Sequence, residues 1–173
     1  MDVLDAIRGR RSVRRYLDEP ISAANVEQLI DAALWAPSGG NAQTWRFVVV
    51  EEAERIRRLR MVSPGMPGPP PCVIIVCQQM RLAEQLGSTL GREKLALFDS
   101  AMAAQNIQLA AHALGLGTCV VASFHVGAVQ DVLELPAEIE PILLVTVGRA
   151  AEAPIAPARN REDVVFHEAC GAS

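Results

Sequence analysis

The sequence has few cysteines and histidines and no long apolar run. It holds four cysteines and three histidines, and these form neither a CxxC pair nor a Cys/His spacing typical of a metal site. The longest uninterrupted apolar run, 72–77, is far too short to span a bilayer. The N-terminus lacks the apolar segment of a secretory signal. We therefore expect a cytoplasmic protein without a metal centre, whose cysteines mostly act as small buried hydrophobic residues.

Positive charge is outnumbered overall but concentrated near the N-terminus. The net charge is −4, which disfavours general attraction to nucleic acid. Within the first sixteen residues, however, the only acids are Asp2 and Asp5. The arginines of the same stretch are Arg8, Arg10, Arg11, Arg14 and Arg15. A local cationic patch on an acidic protein predicts a site for one small anionic molecule.

The length and composition predict one compact domain over residues 1–173. Half of the residues are apolar and 21% are charged, which excludes a disordered chain. A chain of this size buries roughly 70% of the surface that it exposes when unfolded. We find no internal repeat and no linker.

The apolar pattern predicts helices interleaved with short buried strands. Helices are expected at 2–9, 22–36, 52–61, 81–98 with an interruption near 87–91, 99–114 and 126–133. Strands are expected at 45–51, 72–77, 118–122 and 142–148, with a short final strand at 164–166. Helices precede the first strand and no Gly-rich turn follows it, which disfavours a doubly wound nucleotide-binding fold. The order predicts a mixed α/β sandwich with helices on both faces of one sheet.

The predicted helix 99–114 differs from the others because it is apolar nearly all round. It carries six alanines, and glycines at 115 and 117 end it. Such a helix is expected to be central, with close neighbours on several sides.

The first segment that indicates chemistry is the basic run 10–16, RRSVRRY. A phosphate group is bound by planar donors that engage two oxygens, by hydroxyls and by backbone amides, and arginine and serine supply these. A solvated basic face after a helix is the alternative interpretation.

The second segment is the loop 35–45, WAPSGGNAQTW. Its two glycines allow the backbone to approach a flat ligand closely, and Ser38, Asn41 and Gln43 offer short polar groups. It is not a phosphate loop of the Walker type, because no Gly-Lys-Ser/Thr follows. An ordinary loop whose polar side chains satisfy its own backbone is the alternative.

The third segment is 115–124, GLGTCVVASF. A strand that ends in small residues presents its backbone N–H groups without obstruction. A helix stop followed by a core strand explains the same pattern.

Together, in content and order, these three segments resemble the nitroreductase family, and the resemblance covers residues 4 to about 166. It implies an α+β fold: a three-layer α/β/α sandwich around a mixed, mostly antiparallel five-stranded sheet, in an intertwined homodimer. It also implies FMN at the subunit interface and NAD(P)H as co-substrate.

The resemblance assigns roles to the basic segment. Arg10, Arg11 and Ser12 would hold the FMN phosphate and ribityl chain. Arg14 would lie by the N1/O2 edge of the flavin ring, where a fixed positive charge has an electronic role.

The remaining site residues follow from the other segments and the C-terminal tail. The loop residues expected to reach the flavin of the other subunit are Pro37, Ser38, Gly39 and Asn41. The backbone at Ala122 and Ser123 would face N5. Either Arg159 or Arg161 would lie near the phosphate, and the spacing does not choose between them.

The chemistry implied is ping-pong hydride transfer from NAD(P)H through flavin N5 to a small acceptor, such as a nitroaromatic, a quinone or a flavin. The cofactor supplies the reactive atom, which explains why the sequence offers no obvious acid–base pair. A non-catalytic flavin carrier or sensor, and a dehydrogenase acting on a peptide or thiazoline-type substrate, remain alternatives. The preference for NADH or NADPH and the replacement of FMN by a deazaflavin also stay open. The short Pro-rich connection at 63–71 predicts a small substrate cover.

Overall fold

The computed structural model describes residues 1–159, 164–168 and 170. Within them the helices are α1 (Val3–Gly9), α2 (Ala23–Leu34), α3 (Ala53–Met61), α4 (Met80–Leu90), α5 (Ala96–Ala113) and α6 (Val126–Leu133). The strands are β1 (Trp45–Val50), β2 (Cys72–Gln79), β3 (Gly117–Val121) and β4 (Ile139–Gly148).

The strands form one sheet in the order β1-β2-β4-β3, and every neighbouring pair is antiparallel. At one end of the sheet Trp45 lies opposite Gln78. At the other end Thr118 lies opposite Val147, which in turn lies opposite Cys72. The expected α+β fold with a largely antiparallel sheet is therefore confirmed.

Helices cover both faces of the sheet because successive side chains of a strand point to opposite sides. In β2, Ile74 and Val76 belong to the core cluster beneath α2 and α5. Val73 and Ile75 belong to the second cluster, beneath α3 and α6. The continuous apolar run of β2 is thus that of a strand buried on both faces.

The prediction of a fifth strand in this chain is wrong for the residues that the structure describes. The sheet has four strands in that part of the chain. Residues 164–166 are exposed and form turn and coil instead of a strand. The segment is apolar and β-prone, but within the described ranges it pairs with none of the four strands.

The predicted interruption near 87–91 is present as a break between α4 and α5. Ser88 adopts a φ of 54°, and Gly91–Leu95 form a π-helical turn. A Cβ atom on Gly91 would overlap the carbonyl oxygen of Ala83, so glycine is required at this close approach. α5 therefore begins at Ala96, earlier than predicted.

The central helix α5 packs through one face and leaves another uncovered in the single chain. Ala103 and Ile107 are buried against the sheet and α2. Leu97 and Phe98 are 49% and 59% exposed. The expected close neighbours are thus present on one side of the helix.

The cysteines behave as predicted, with three of four buried as free thiols: Cys72, Cys77 and Cys119. Burial raises the pKa of Cys72 and of Cys77 to about 12, so neither is a thiolate at neutral pH. Over the described ranges, no group of three or more His, Cys, Asp or Glu residues could hold a metal ion. In the same ranges no helix has both the length and the apolar character needed to cross a membrane.

Leu144 tests the packing of this core. It is fully buried in the central strand β4, and truncation there leaves a cavity. We expect Leu144→Ala to lower the free energy of unfolding by about 2–5 kcal/mol. Met61→Ala, at a side chain that is 72% exposed, should change it by less than about 0.5 kcal/mol. Urea unfolding of both variants without added ligand measures the difference, and equal midpoints would contradict this packing.

Candidate functional site

The basic segment lies along the edge strand β3. Ser12 forms a parallel bridge with Thr118, and the Val13 amide donates to the Thr118 carbonyl over 2.8 Å. A Cβ atom on Gly117 would lie only 2.7 Å from Val13 Cγ2, so glycine permits this close approach. Two of the three segments singled out in the sequence therefore meet.

Tyr16 fixes the far end of the basic segment to β4. Its hydroxyl lies 2.6 Å from the Val13 carbonyl oxygen and 2.7 Å from Thr146 Oγ1. Tyr16 also bridges Ala150 in antiparallel fashion, beyond the end of β4. Burial raises the pKa of Tyr16, so the phenol stays neutral and serves as a structural anchor.

A cationic cavity of about 280 Å³ opens beside this segment. Its lining consists of Arg10, Arg11, Ser12, Arg14, Pro154, Ile155, Pro157 and Arg159. The structure thus brings the predicted phosphate-binding residues together with Arg159, whereas Arg161 lies outside the described residues. Four planar guanidinium groups and a hydroxyl around one cavity make a site suited to an oxyanion.

Arg11 has a second task that its sequence position did not reveal. Its Nη1 donates to the carbonyl oxygens of Arg8 and Arg10, over 2.6 and 2.7 Å. These are carbonyls at the C-terminal end of α1, which a cation stabilises. The Arg11 guanidinium therefore caps α1 in addition to lining the cavity with Arg10 and Arg14.

Glu152 is a residue of this site that the sequence interpretation missed. Its Oε1 accepts from the amides of Arg14 and Arg15 over 2.5 and 3.2 Å, and its Oε2 accepts from Arg15 Nε over 2.9 Å. These hydrogen bonds, the one from the Arg14 amide first, lower the pKa of Glu152. One signal was available: Glu152 is the only acid in the stretch 149–159, opposite a run of arginines.

The Pro-rich loop 63–71 connects the basic segment with the end of β3. Ala122 and Ser123, which directly follow β3, are exposed. The Gly65 amide donates to the Ser123 carbonyl over 3.0 Å, and a Cβ atom on Gly68 would lie 3.7 Å from the Arg14 carbonyl oxygen. Gly65 and Gly68 are three positions apart, so they lie at most about 11 Å from one another. The loop between them therefore holds the backbones of Arg14 and Ser123 near one another.

The loop 35–45, called the glycine loop from here on, has a rigid, partly left-handed backbone. Gly40, Asn41 and Gln43 have φ values of 59°, 56° and 49°. Ser38 Oγ accepts from the Gln43 amide over 3.1 Å. These conformations turn the loop outward, leaving Pro37 and Asn41 exposed.

Asp99 anchors this loop from α5 and was also missed by the sequence interpretation. Its carboxylate accepts from the Gly39 amide, with Oδ1 at 3.1 Å and Oδ2 at 3.3 Å. Burial raises the pKa of Asp99, and the Gly39 hydrogen bond partly offsets the shift. An acid in an otherwise apolar helix was the available signal.

The glycine loop and the basic segment lie at opposite ends of the sheet within one chain. The loop leads into Trp45, which lies opposite Gln78 near the C-terminal end of β2. Ser12 lies beside Thr118, which is level across the sheet with Cys72 at the N-terminal end of β2. Cys72 and Gln78 are six positions apart in β2, which corresponds to about 20 Å along the strand. The single chain therefore does not bring together Pro37, Ser38, Gly39 and Asn41 with the arginine cavity.

Comparison with known proteins gives a consistent result. The Nitroreductase family model matches residues 7–67 and 60–149. A Methanothermobacter thermautotrophicus protein assigned as an NADH dehydrogenase/NAD(P)H nitroreductase is 33% identical over 160 residues, covering 89% of this chain and 80% of its own. The FMN reductase [NAD(P)H] of Bacillus subtilis is 25% identical over 182 residues, covering 96% and 73%.

Solved structures agree with the sequence comparisons. A nitroreductase family protein of Clostridium difficile superposes with a TM-score of 0.87 at 25% identity. The match covers 98% of this chain and 99% of that one.

The burial of Asp99 predicts a pH dependence of stability. Since the folded-state pKa of Asp99 is raised above its unfolded value, the unfolded chain loses its proton first as the pH rises. Stability present below the ordinary aspartate range is therefore lost as the pH rises through the folded-state pKa. Asp99→Asn has no carboxyl group to ionise at this position and should not show this loss. The stability of the variant relative to that of the wild type should therefore increase as the pH rises from about 3 to neutrality. Urea midpoints over that range measure it, and parallel pH profiles would contradict the assignment.

Proposed function

Because the chain belongs to the nitroreductase family, we propose that it is an FMN-dependent oxidoreductase that uses NADH or NADPH to reduce a small acceptor such as a nitroaromatic, a quinone or a flavin. The names of its relatives, which cite NAD(P)H and FMN, support this assignment. The structural observation that carries it is the arginine cavity held against β3.

The residues of this cavity fit the charged end of FMN. Arg10, Ser12 and Arg159 line the cavity and offer two guanidinium groups and a hydroxyl to a phosphate and its ribityl chain. Arg10 and Ser12 are half-buried, which strengthens their hydrogen bonds relative to those of a solvated surface. Held there, FMN would supply the redox chemistry between NAD(P)H and the acceptor, and the protein would supply binding, orientation and electrostatics.

Arg14 is proposed to act on the flavin ring and not on the phosphate. Its side chain lines the same cavity and is exposed, and Gly68 of the Pro-rich loop approaches its carbonyl oxygen. A fixed positive charge beside the N1/O2 edge favours the form of the flavin that carries negative charge there.

The end of β3 is proposed to face N5 through its backbone. Ala122 and Ser123 are small and exposed, so their main-chain groups are accessible to a flat ligand. The Gly65–Ser123 hydrogen bond holds this backbone in place. The rigid Pro-rich loop at 63–71 would then act as a short cover over the acceptor site.

A homodimer with an intertwined tail would complete the site. The cavity of one chain, about 280 Å³, is below the roughly 300–1,000 Å³ of most cofactor sites, and the glycine loop lies at the other end of the sheet. The single chain also leaves apolar surface uncovered, with Trp35 80% and Phe98 59% exposed. A second copy would cover this surface and bring its Pro37, Ser38, Gly39 and Asn41 to the flavin.

The proposed location in the cytoplasm rests on the thiols. Three free cysteines are buried in the sheet, and none of the four is in a disulfide among the residues described. Reduced thiols of this kind are typical of a reducing compartment.

The first test concerns cofactor and turnover. The purified protein should carry one FMN per chain, measured by absorbance and by mass spectrometry of the released ligand. Under argon, NADH or NADPH should bleach the flavin absorbance, and a quinone or nitroaromatic should restore it. A yellow protein that neither nicotinamide reduces would support a flavin carrier or sensor instead, and a protein that takes up no FMN would overturn the proposal.

The second test separates the roles of Arg10 and Arg14. Arg14→Ala should lower the flavin reduction potential, because loss of a hydrogen bond to a charged group amounts to about 1.5–3 kcal/mol. About 30 mV corresponds to roughly 1.4 kcal/mol for a two-electron couple, so the shift should be some tens of millivolts. Arg10→Ala should weaken FMN binding and leave the potential of bound flavin nearly unchanged. Titration of both variants with a redox dye measures this, and an unchanged potential in Arg14→Ala would contradict its role.

A further inference from the structure

Glu152 occupies an unusual position for a carboxylate, beside the arginine cavity and bonded to the basic segment that lines it. Its side chain is 19% exposed, and it also lines an adjoining cavity of about 400 Å³. The other charged or titratable side chains of that cavity are Arg10, Arg11 and His112. A negative charge here weakens the attraction for an anion, so its presence requires another explanation.

The hydrogen bonds of Glu152 provide that explanation. The basic segment pairs with β3 at Ser12 and with the chain beyond β4 at Tyr16. Between these two bridges the amides of Arg14 and Arg15 both donate to Glu152 Oε1. The carboxylate thus takes the place of a strand partner at the crossing from β3 to β4.

The neighbouring backbone directs the carboxylate to this position. The Ala151 amide donates to the Arg15 carbonyl oxygen over 2.9 Å, so Glu152 begins one residue after a main-chain contact with the segment. Its Oε2 also pairs with Nε of the exposed Arg15, whose side chain does not line the arginine cavity. The carboxylate therefore holds the backbone of Arg14 while leaving the Arg14 guanidinium available to the cavity.

We propose that Glu152 is a positioning residue for the flavin chemistry: its carboxylate fixes the main chain at Arg14 and so places the Arg14 guanidinium against the flavin ring. This inference rests on the proposed function, since it gives Arg14 its role at the N1/O2 edge. It distinguishes the two arginines that the sequence places side by side. The Arg14 side chain lines the ligand cavity, whereas the Arg15 side chain forms an ion pair with Glu152.

The variants separate positioning from charge. Glu152→Gln keeps a side-chain oxygen that accepts from both amides but removes the negative charge, whereas Glu152→Ala removes both. We expect Glu152→Ala to lower the flavin potential as Arg14→Ala does and to slow flavin reduction about tenfold, with Glu152→Gln close to the wild type. In the Arg14→Ala background, Glu152→Ala should add little, because it acts through Arg14. Glu54→Ala, which removes an exposed carboxylate paired with Arg57, is the matched control and should leave the potential unchanged.

Two results would overturn the proposal while FMN binding and turnover of the wild type stand. If Glu152→Gln and Glu152→Ala raise the potential equally, the carboxylate acts only by its charge. If Glu152→Ala has the same effect with and without Arg14, its role is independent of that arginine. Failure of the proposed function would instead appear in the wild type, as absent FMN binding or absent reduction.

The contact itself is tested without cofactor. In the apoprotein, the amide proton shifts of Arg14 and Arg15 should titrate together, with an apparent pKa below the ordinary glutamate range. That titration should vanish in Glu152→Gln. Amide shifts that stay constant with pH in the wild type would show that the carboxylate does not hold this backbone.

Discussion

The site depends on one close contact, the pairing of the basic segment with the edge strand β3. The Val13 amide donates to Thr118, and Gly117 leaves room for the Val13 side chain. An arginine-rich segment in isolation would be a mobile, solvated chain, since its four like charges repel one another. The backbone pairing and the Tyr16 anchor convert it into a fixed row of donors.

A second constraint acts at the opposite end of the sheet. There Asp99 and the left-handed backbone of the glycine loop produce a rigid projection, supported by a buried polar network. Thr44 Oγ1 donates to Gln78 Oε1 over 2.6 Å, and Gln78 Nε2 donates to Ser100 Oγ over 2.9 Å. Two rigid elements at the two ends of one sheet cannot meet within a chain, and the proposed dimer follows from that separation.

Much of the fold could be predicted from local pattern, because period and capping are local properties. The apolar run of β2 and the Ser22 cap of α2 both appear in the structure as expected. The fifth strand predicted at 164–166 is absent from the described part of the chain, because β propensity alone does not provide a neighbouring strand to pair with. Arg10, Ser12 and Arg14 were predicted as site residues because arginine beside serine suits a phosphate, and the structure places all three around one cavity. Glu152 and Asp99 act through contacts 138 and 60 residues away in the sequence, which no local pattern encodes.

The central claim is that each site combines the arginine cavity of one chain with the glycine loop of another. Its most direct test mixes two defective chains, Arg10→Ala and Asn41→Trp, co-expressed with different tags and purified as heterodimers. Each homodimer should bind FMN poorly, because both of its sites carry the same defect. The heterodimer should bind one FMN tightly, since one of its sites receives both defects and the other receives none. Heterodimers that bind FMN no better than either homodimer would contradict the claim and return the whole site to a single chain.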